Sequence, residues 1–295
     1  MTVPEAEGQL VQAVGQGRYI AAVIALAALW TIESIAPMYV GRRRRLSHGG
    51  ANLALAVINA GVAWVFASTL LQLTELSRTH RIGVLHWLDL PAWLHGVTAI
   101  VLFDCWQYWW HRINHRVPFF WRFHAVHHAD AELDVTSGVR FHTVEIALSF
   151  ALRLAVVPLL GMTLLELLIY EAVSLPIILF HHSNIRLPGR ADRCLRWLIV
   201  TPWMHYVHHS RWQPETDSNY SSFLSVWDRL FGSFRLRERP EEIHLGLDHW
   251  KEEEWRGVRG MLLAAFRRPP SRDAGAAHAP PEGPAVSVES VPSSR

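Results

Sequence analysis

The sequence predicts an all-α integral membrane bundle of about four to five spans or half-spans, closed on one face by a histidine-rich cap. Three observations lead there. Half of the 295 residues are hydrophobic, only 18% are charged and 14 are Trp, which is typical of a membrane protein. Several apolar stretches approach the roughly 20 residues that a membrane helix needs. Eleven of the 18 histidines fall between positions 111 and 209.

The first two apolar stretches predict an antiparallel pair of membrane helices. Residues 19–38 form the first, and the run Arg42–Arg45 follows at once. Cytoplasmic loops carry an excess of Lys and Arg, so this junction is expected to face the cytoplasm. Residues 51–73 form the second helix. The polar residues 74–92 then form a short external loop with Trp87 at the membrane interface.

Residues 93–110 predict a third span, which runs inward and ends in interfacial aromatic residues. Residues 146–180 carry little charge but contain Pro158 and Gly161, and both residue types break or kink helices. They predict a tight hairpin of two short spans or re-entrant helices; the alternative is one long buried helix. A hairpin returns the chain to its starting side, so all histidine clusters would share the cytoplasmic face.

Composition and the two chain ends indicate which other classes of protein and which domain boundaries to expect. The net charge of +2 gives no nucleic-acid footprint. Met1–Gly17 lacks the basic start of a cleavable signal peptide. Cys105 and Cys194 are expected to be small apolar side chains rather than a disulfide. We predict N-terminal membrane helices over 1–92, a catalytic domain over 93–250, and an extension over 251–295 that is disordered from about 268.

Three clusters hold the most informative histidines. Two of them repeat the pattern HxxHH, for which random placement would give roughly 0.07 copies per chain. Residues spaced three and four apart share one helix face, so each cluster aims its imidazoles at one point. Imidazole is the commonest metal ligand, and eight of them exceed the needs of one zinc. The pattern predicts a two-metal site held by His111, His115, His124, His127, His128, His205, His208 and His209.

Other residues are secondary candidates. His181 and His182 form a fourth group, and at least one is expected to complete the site. His142 fits a supporting position as well as a ligand position. A carboxylate inside a membrane span is costly and hence a functional candidate. The carboxylates that could orient a ligand through its second ring nitrogen are Asp104, Glu145, Asp217 and Asp228. Asp134 and His48 are instead expected at the surface or interface.

Several established motifs are absent from the sequence. There is no HExxH of zinc proteases, and the pair of ExxH motifs of soluble di-iron bundles is absent. The chain also lacks a phosphate-binding loop, a dinucleotide fingerprint and an iron–sulfur cysteine set. A site rich in imidazole and poor in carboxylate suits iron, zinc or copper.

Four motifs in order resemble those of the fatty acid hydroxylase/sterol desaturase superfamily over residues 95–240. They are Asp104-x-x-x-Tyr108-Trp109-x-His111-Arg112-x-x-His115, Phe123-His124-x-x-His127-His128, Thr201-Pro202-x-x-His205-x-x-His208-His209, and Asn219-Tyr220 with Trp227-Asp228-Arg229-Leu230-Phe231-Gly232. Two departures stand out. Ser221 replaces the usual Gly. Ile177 lies near the position where some fatty acid hydroxylases carry a further histidine.

The resemblance implies an O2-dependent membrane enzyme with two iron ions that hydroxylates a lipid, or desaturates it as the alternative. It implies an external electron donor, such as a ferredoxin or a cytochrome b5-like protein. It also implies a multi-pass location in the bacterial inner membrane or the endoplasmic reticulum. An acidic donor has candidate docking residues, although positive-inside charge explains them equally: Arg186, Arg190, Arg193, Arg196 and Arg211. A membrane zinc hydrolase and a metal transporter or sensor are the competing hypotheses.

Overall fold

A computed structural model describes residues 3–40, 44–247 and 255–267, with side chains from residue 8 onward. All regular elements in these ranges are helical. The α-helices are α1 Val3–Ile35, α2 Arg45–His80, α3 Ala92–Arg116, α4 Pro118–His128, α5 Thr143–Leu160, α6 Leu164–His182, α7 Gly189–Leu195, α8 Pro202–His208, α9 Gln213–Thr216, α10 Val226–Leu230 and α11 Val258–Arg267. Short 3₁₀ turns occupy Val84–Trp87, Val135–Val139 and Pro240–Glu242.

Five long helices run between two ends of the bundle, which we call the cap end and the opposite end. The cap end is the one that holds the histidine clusters. Helix α1 runs parallel to α6: Arg18 pairs with Glu171, and Glu33 accepts the Asn184 amide N–H at 2.8 Å just beyond α6. Both α1 and α6 therefore run toward the cap.

Helices α2 and α5 run the other way, side by side. Near the cap, the Asn59 side chain donates to the Phe141 carbonyl at 2.8 Å. At the opposite end, the Ser77 hydroxyl donates to the Pro158 carbonyl at 3.1 Å. Helix α3 then returns from the opposite end, where His95 bonds Glu166 at 2.7 Å, and finishes in the cap.

Within the described ranges, four helical segments are long and apolar enough to cross a membrane, namely Gly8–Ile35, Arg45–Trp87, Thr143–Leu160 and Leu164–His182. The predicted all-α membrane bundle with a histidine-rich cap is thereby confirmed. Helix α3, predicted as the third span, is not among the four, although it runs from one end of the bundle to the other. The predicted domain boundaries remain predictions. The disorder expected from residue 268, like Arg42 and Arg43 of the basic run, lies outside the described residues.

The predicted break between residues 158 and 161 is present, so the alternative of one long helix is wrong. Gly161 ends α5 in the left-handed conformation with φ 78°, which a residue without Cβ adopts at little cost. The turn also packs backbone to backbone. A Cβ on Gly83 would lie 2.4 Å from the Gly161 nitrogen. Thr163 and Glu166 then form a reciprocal capping box that starts α6.

Candidate metal centre

Nine of the ten predicted ligands gather in two groups in the cap. The first group contains His111, His115, His124, His128 and His208, and the second contains His127, His182, His205 and His209. Within each group, one potential ligand atom per residue lies within 4.8 Å of the others. The groups adjoin, because the His128 and His209 rings stack with centroids 4.4 Å apart. Each of the two neighbouring groups could hold a metal ion.

Local sequence explains how the clusters are presented. Helices α4 and α8 each begin with a proline, Pro118 and Pro202, in the first turn, where the missing N–H costs nothing. Helix α4 ends on the last residue of its HxxHH pattern, and α8 ends one residue earlier in its own. The i, i+3 and i+4 positions therefore lie on one short helical face. The last turns of α3 and α6 supply the remaining imidazoles.

The Nδ1 atoms of four ligands donate to backbone carbonyls. Carbonyl oxygens only accept, so each of these nitrogens carries the proton and leaves Nε2 as a bare lone pair. The pairs are His111 with Tyr220 at 2.7 Å, His127 with Arg140 at 3.1 Å, His182 with Ile178 at 2.7 Å, and His208 with Ser218 at 2.7 Å. Such contacts fix the tautomer and ring orientation that a metal ligand needs.

Glu145 supports a fifth ring. Its Oε1 lies 2.8 Å from His124 Nδ1, and both side chains are buried. A carboxylate accepting from the second ring nitrogen makes a ligand more basic. Glu145 is therefore the carboxylate that most directly supports a ligand among the described residues.

Burial keeps five of the clustered imidazoles neutral. Burial, opposed only in part by the Ser218 carbonyl, lowers the pKa of His208 to about 3. Burial and the neighbouring imidazoles likewise hold the pKa values of His127, His128, His205 and His209 well below the usual range. Only the neutral ring can ligate a metal, so these five histidines stay in the ligating form.

The nitrogen separations fit bound cations. Nε2 atoms face one another at 3.1 Å for His111 and His124, 3.1 Å for His127 and His182, and 2.8 Å for His182 and His205. Where each Nδ1 carries the proton, two facing Nε2 lone pairs repel rather than bond. A metal–nitrogen bond of about 2.1 Å puts ligands at right angles about 3 Å apart. The chemistry and spacing of this donor set therefore fit metal ions.

Two histidines that were predicted to belong to the site, His181 and His142, stand apart from both groups. The His181 ring lies 4.1 Å from the His205 ring but belongs to neither group, and it lines the cavity described below. His142 does not support a ligand as predicted. It caps α5 by accepting the Val144 amide N–H at 3.0 Å, and its other nitrogen donates to the Leu262 carbonyl at 3.1 Å.

Asp104 and Asp228 also require correction, because in the described structure neither bonds a histidine. Asp104 is buried and accepts from Tyr170, Leu224 and Trp227; it fastens α3 to α6 and α10. Asp228 accepts the Tyr220 amide N–H at 2.7 Å and thereby fixes the carbonyl that holds His111. Asp217 does lie beside a ligand, with Oδ1 3.6 Å from His115 Nδ1.

A buried polar network that the sequence did not predict lies next to the end of α4. His48, expected at the surface, lies between Asp130 at 2.9 Å and Asp134 at 3.0 Å. Asp134 also accepts the Thr136 amide N–H at 2.8 Å. Burial alone would raise the pKa of Asp130, but the charges of His48 and Arg140 hold it well below its usual range. The only sequence signal was an Asp two residues after His128.

A cavity opens from the metal groups into the bundle. It is bounded chiefly by α3, α5 and α6, with additional residues from the cap. The lining residues are Gln107, Trp110, His111, Asn114, His124, His127, Phe141, Glu145, Ile146, Ser149, Arg153, Ile178, His181, His182, His205 and Ser222. Two of the three helices that bound it, α5 and α6, are long and apolar enough to cross a membrane.

Among the described residues, the fold and site together define a helical protein with four candidate membrane spans and two adjoining histidine groups that could bind metal. The fatty acid hydroxylase family model matches residues 96–233. This match, over a little under half of the chain, confirms the resemblance seen in the motifs.

Three curated relatives illustrate the range. The chain is 30% identical over 203 residues to ornithine lipid hydroxylase OlsE of Rhizobium tropici, covering 68% of this chain and 58% of that protein. It is 28% identical over 207 residues to human alkylglycerol monooxygenase, covering 66% and 43%. It is 25% identical over 173 residues to human cholesterol 25-hydroxylase, covering 54% and 62%. The chain thus spans about half the length of these relatives. No solved structure gives a significant match.

Proposed function

We propose that this chain is a membrane-bound, non-haem di-iron monooxygenase that uses O2 to hydroxylate a C–H bond of a lipid. The observation that carries the proposal is the pair of adjoining imidazole groups at the head of a cavity that descends between apolar helices. The relatives support the same reaction class, since all three are named as hydroxylases or monooxygenases of lipids or sterols. None is named as a desaturase, so hydroxylation is preferred over desaturation.

In this mechanism the iron pair, held by the two histidine groups, would supply O2 activation and C–H oxidation. The protein positions the reactants and excludes water. Glu145 and the four carbonyls hold the imidazoles in one tautomer, so the ligands do not reorganise between steps. The walls formed by Ile146 and Ile178 on facing helices guide a lipid past the site. His181, beside His205 but in neither group, faces the same space.

The decisive experiment measures metal, oxygen and product together. The full chain is purified anaerobically, loaded with Fe(II), and given lipid extract, a reductant and isotopically labelled O2. We expect about two irons per chain and a lipid heavier by one labelled oxygen. His128→Ala should abolish product, while His80→Ala, an exposed histidine at the opposite end, should not. Full activity with zinc and without O2 would reject the proposal in favour of a membrane zinc hydrolase.

Electrons would come from a separate ferredoxin or cytochrome b5-like donor. Two of the five candidate docking arginines already serve the fold: Arg196 pairs with Asp192 at 2.6 Å, and Arg211 donates to the Leu245 carbonyl at 3.0 Å. Arg190 and Arg193 are exposed and are the better candidates. Reversing both charges should raise the KM for reduced donor without changing the turnover driven by a chemical reductant.

We further propose that the cap faces the cytoplasm, since Arg44 and Arg45 begin α2 at this end. Single cysteines can test it in a chain whose two native cysteines are replaced by Ser. A cysteine at Glu238, exposed on the cap, should react with an impermeant maleimide only after the cells are permeabilised. A cysteine at His80, at the opposite end, should react in intact cells. The reverse labelling pattern would contradict this orientation.

A further inference from the structure

The cavity ends in a polar region that the metal site does not use. Arg153 lies on α5, two turns beyond Glu145, which corresponds to about 12 Å of helix. Both residues line the cavity, as do Ser149 between them and Gln107 on the facing α3. The cavity therefore runs from the ligand that Glu145 supports to the guanidinium of Arg153.

The Arg153 guanidinium retains most of its hydrogen-bonding capacity. It offers five N–H donors, of which Nη1 alone has an acceptor, Glu171 Oε1 at 3.1 Å. Its Nε is buried and has no partner. The rings of Phe150 and Phe103 lie 4.8 and 5.7 Å from the guanidinium carbon, and the side chain is only 14% exposed. A planar donor is thus held in place by packing.

The local charges do not balance. Glu171 is shared between Arg153 and Arg18, so two guanidiniums meet one carboxylate. Arg153, Arg18 and Glu171 all lie in segments that are long and apolar enough to cross a membrane. An excess charge at such a depth is costly, and it marks a functional site more often than a structural one. An oxyanion entering the cavity would supply both the missing charge and the missing acceptors.

We propose that Arg153 binds an anionic oxygen group, a carboxylate or a phosphate, on the lipid that occupies the cavity. Guanidinium pairs with both groups through parallel N–H···O bonds. The inference rests on the proposed lipid substrate but concerns recognition, not oxidation. Its corollary is that the oxidised carbon lies roughly 12 Å from the acidic group, the length of α5 between Glu145 and Arg153.

The test measures binding of spin-labelled lipids to the full chain, loaded with zinc so that no turnover occurs. The probes are stearic acid with a nitroxide near the chain end, its methyl ester, and phosphatidic acid with the same label. The immobilised fraction of the spectrum gives the affinity. We expect wild-type protein to bind at least one acidic probe about tenfold more tightly than the ester. The preferred acid identifies carboxylate or phosphate as the group bound.

Substitutions test whether Arg153 is the residue responsible for the preference for acidic probes. Arg153→Gln should bind acid and ester equally, with ester binding unchanged. Arg18→Gln is the matched control, because it removes a cation from the same trio but does not line the cavity, and it should keep the preference. Arg153→Lys retains the positive charge without the planar guanidinium, so it should keep part of the preference for acid. This variant replaces Arg153→Gln in the test if the Gln variant does not fold.

Two results would overturn the inference. One is equal binding of acid and ester by the wild-type chain. The other is an equal loss of preference in the Arg153 and Arg18 variants, which would indicate a general field rather than a binding residue. Failure of the proposed oxidation is a separate result, since anion preference is measured without iron, O2 or product.

Discussion

Replacing Glu145 by Gln is expected to weaken one metal position and leave the other intact. The carboxylate accepts from His124 Nδ1 at 2.8 Å inside the protein. His124 belongs to the five-histidine group, whereas Glu145 bonds no member of the four-histidine group among the described residues. A glutamine preserves shape and one acceptor oxygen but removes the negative charge that makes the imidazole a stronger ligand.

The size of the effect follows from that single contact. Hydrogen bonds to charged groups contribute about 1.5–3 kcal/mol, and losing an outer partner of a metal-bound histidine costs about 10–100-fold in affinity. The two ranges agree, because 1.4 kcal/mol is about one factor of ten. We therefore expect one of the two metal equivalents to bind 10–100-fold more weakly.

Competition with a chelator of known affinity, followed by metal analysis, measures both equivalents separately. Glu166→Gln is the matched control, since Glu166 bonds His95 at 2.7 Å in the same way but at the opposite end of the bundle. It should release no metal. Two equivalents held as tightly by the Glu145 variant as by wild type would refute the assigned role. Equal weakening of both would refute the independence of the two groups.

Three further substitutions test whether a residue supports the fold or binds metal. Asp104→Asn weakens contacts to Tyr170 and Trp227 and should cost about 1–3 kcal/mol in unfolding free energy while metal content stays at two; loss of metal would return Asp104 to the site. His142→Ala removes a helix cap and should cost about 1 kcal/mol, again with two metals retained, as metal analysis would show. His181→Ala should also retain two metals but alter product formation; a drop to one metal would make His181 a ligand.

The sequence was sufficient to predict the helical bundle, because apolar length and histidine spacing are properties of single segments. Pro158 and Gly161 located the hairpin turn for the same local reason. The HxxHH repeats identified histidines that come together, because helical geometry aligns the i, i+3 and i+4 positions whatever the surrounding fold. Spacing alone could not predict which histidines share a group. His127 and His128 are adjacent in sequence yet belong to different groups.

Supporting contacts were harder to predict because they depend on long-range packing. Four predicted ligands are held by backbone carbonyls. Every residue carries a carbonyl, so residue type does not indicate which one will accept from a histidine. Every carboxylate near the histidines was a plausible partner by residue type alone. Only its position in the fold decides whether it reaches a histidine. Glu145 reaches a ligand, whereas Asp104 is occupied by Tyr170, Leu224 and Trp227. His142 looked like a site residue by proximity in sequence, yet its ring starts a helix.

The metal site also depends on residues that precede the family match, which begins at residue 96. Glu33, near the end of α1, accepts the amide N–H groups of Val135 and Asn184 at 3.1 and 2.8 Å. One acceptor thus joins the turn that follows α4 to the residues that follow α6. Because α4 and α6 supply His127 and His182 to the same group, α1 fixes their separation. Helix α1 therefore supports the histidine groups as well as being a candidate membrane span.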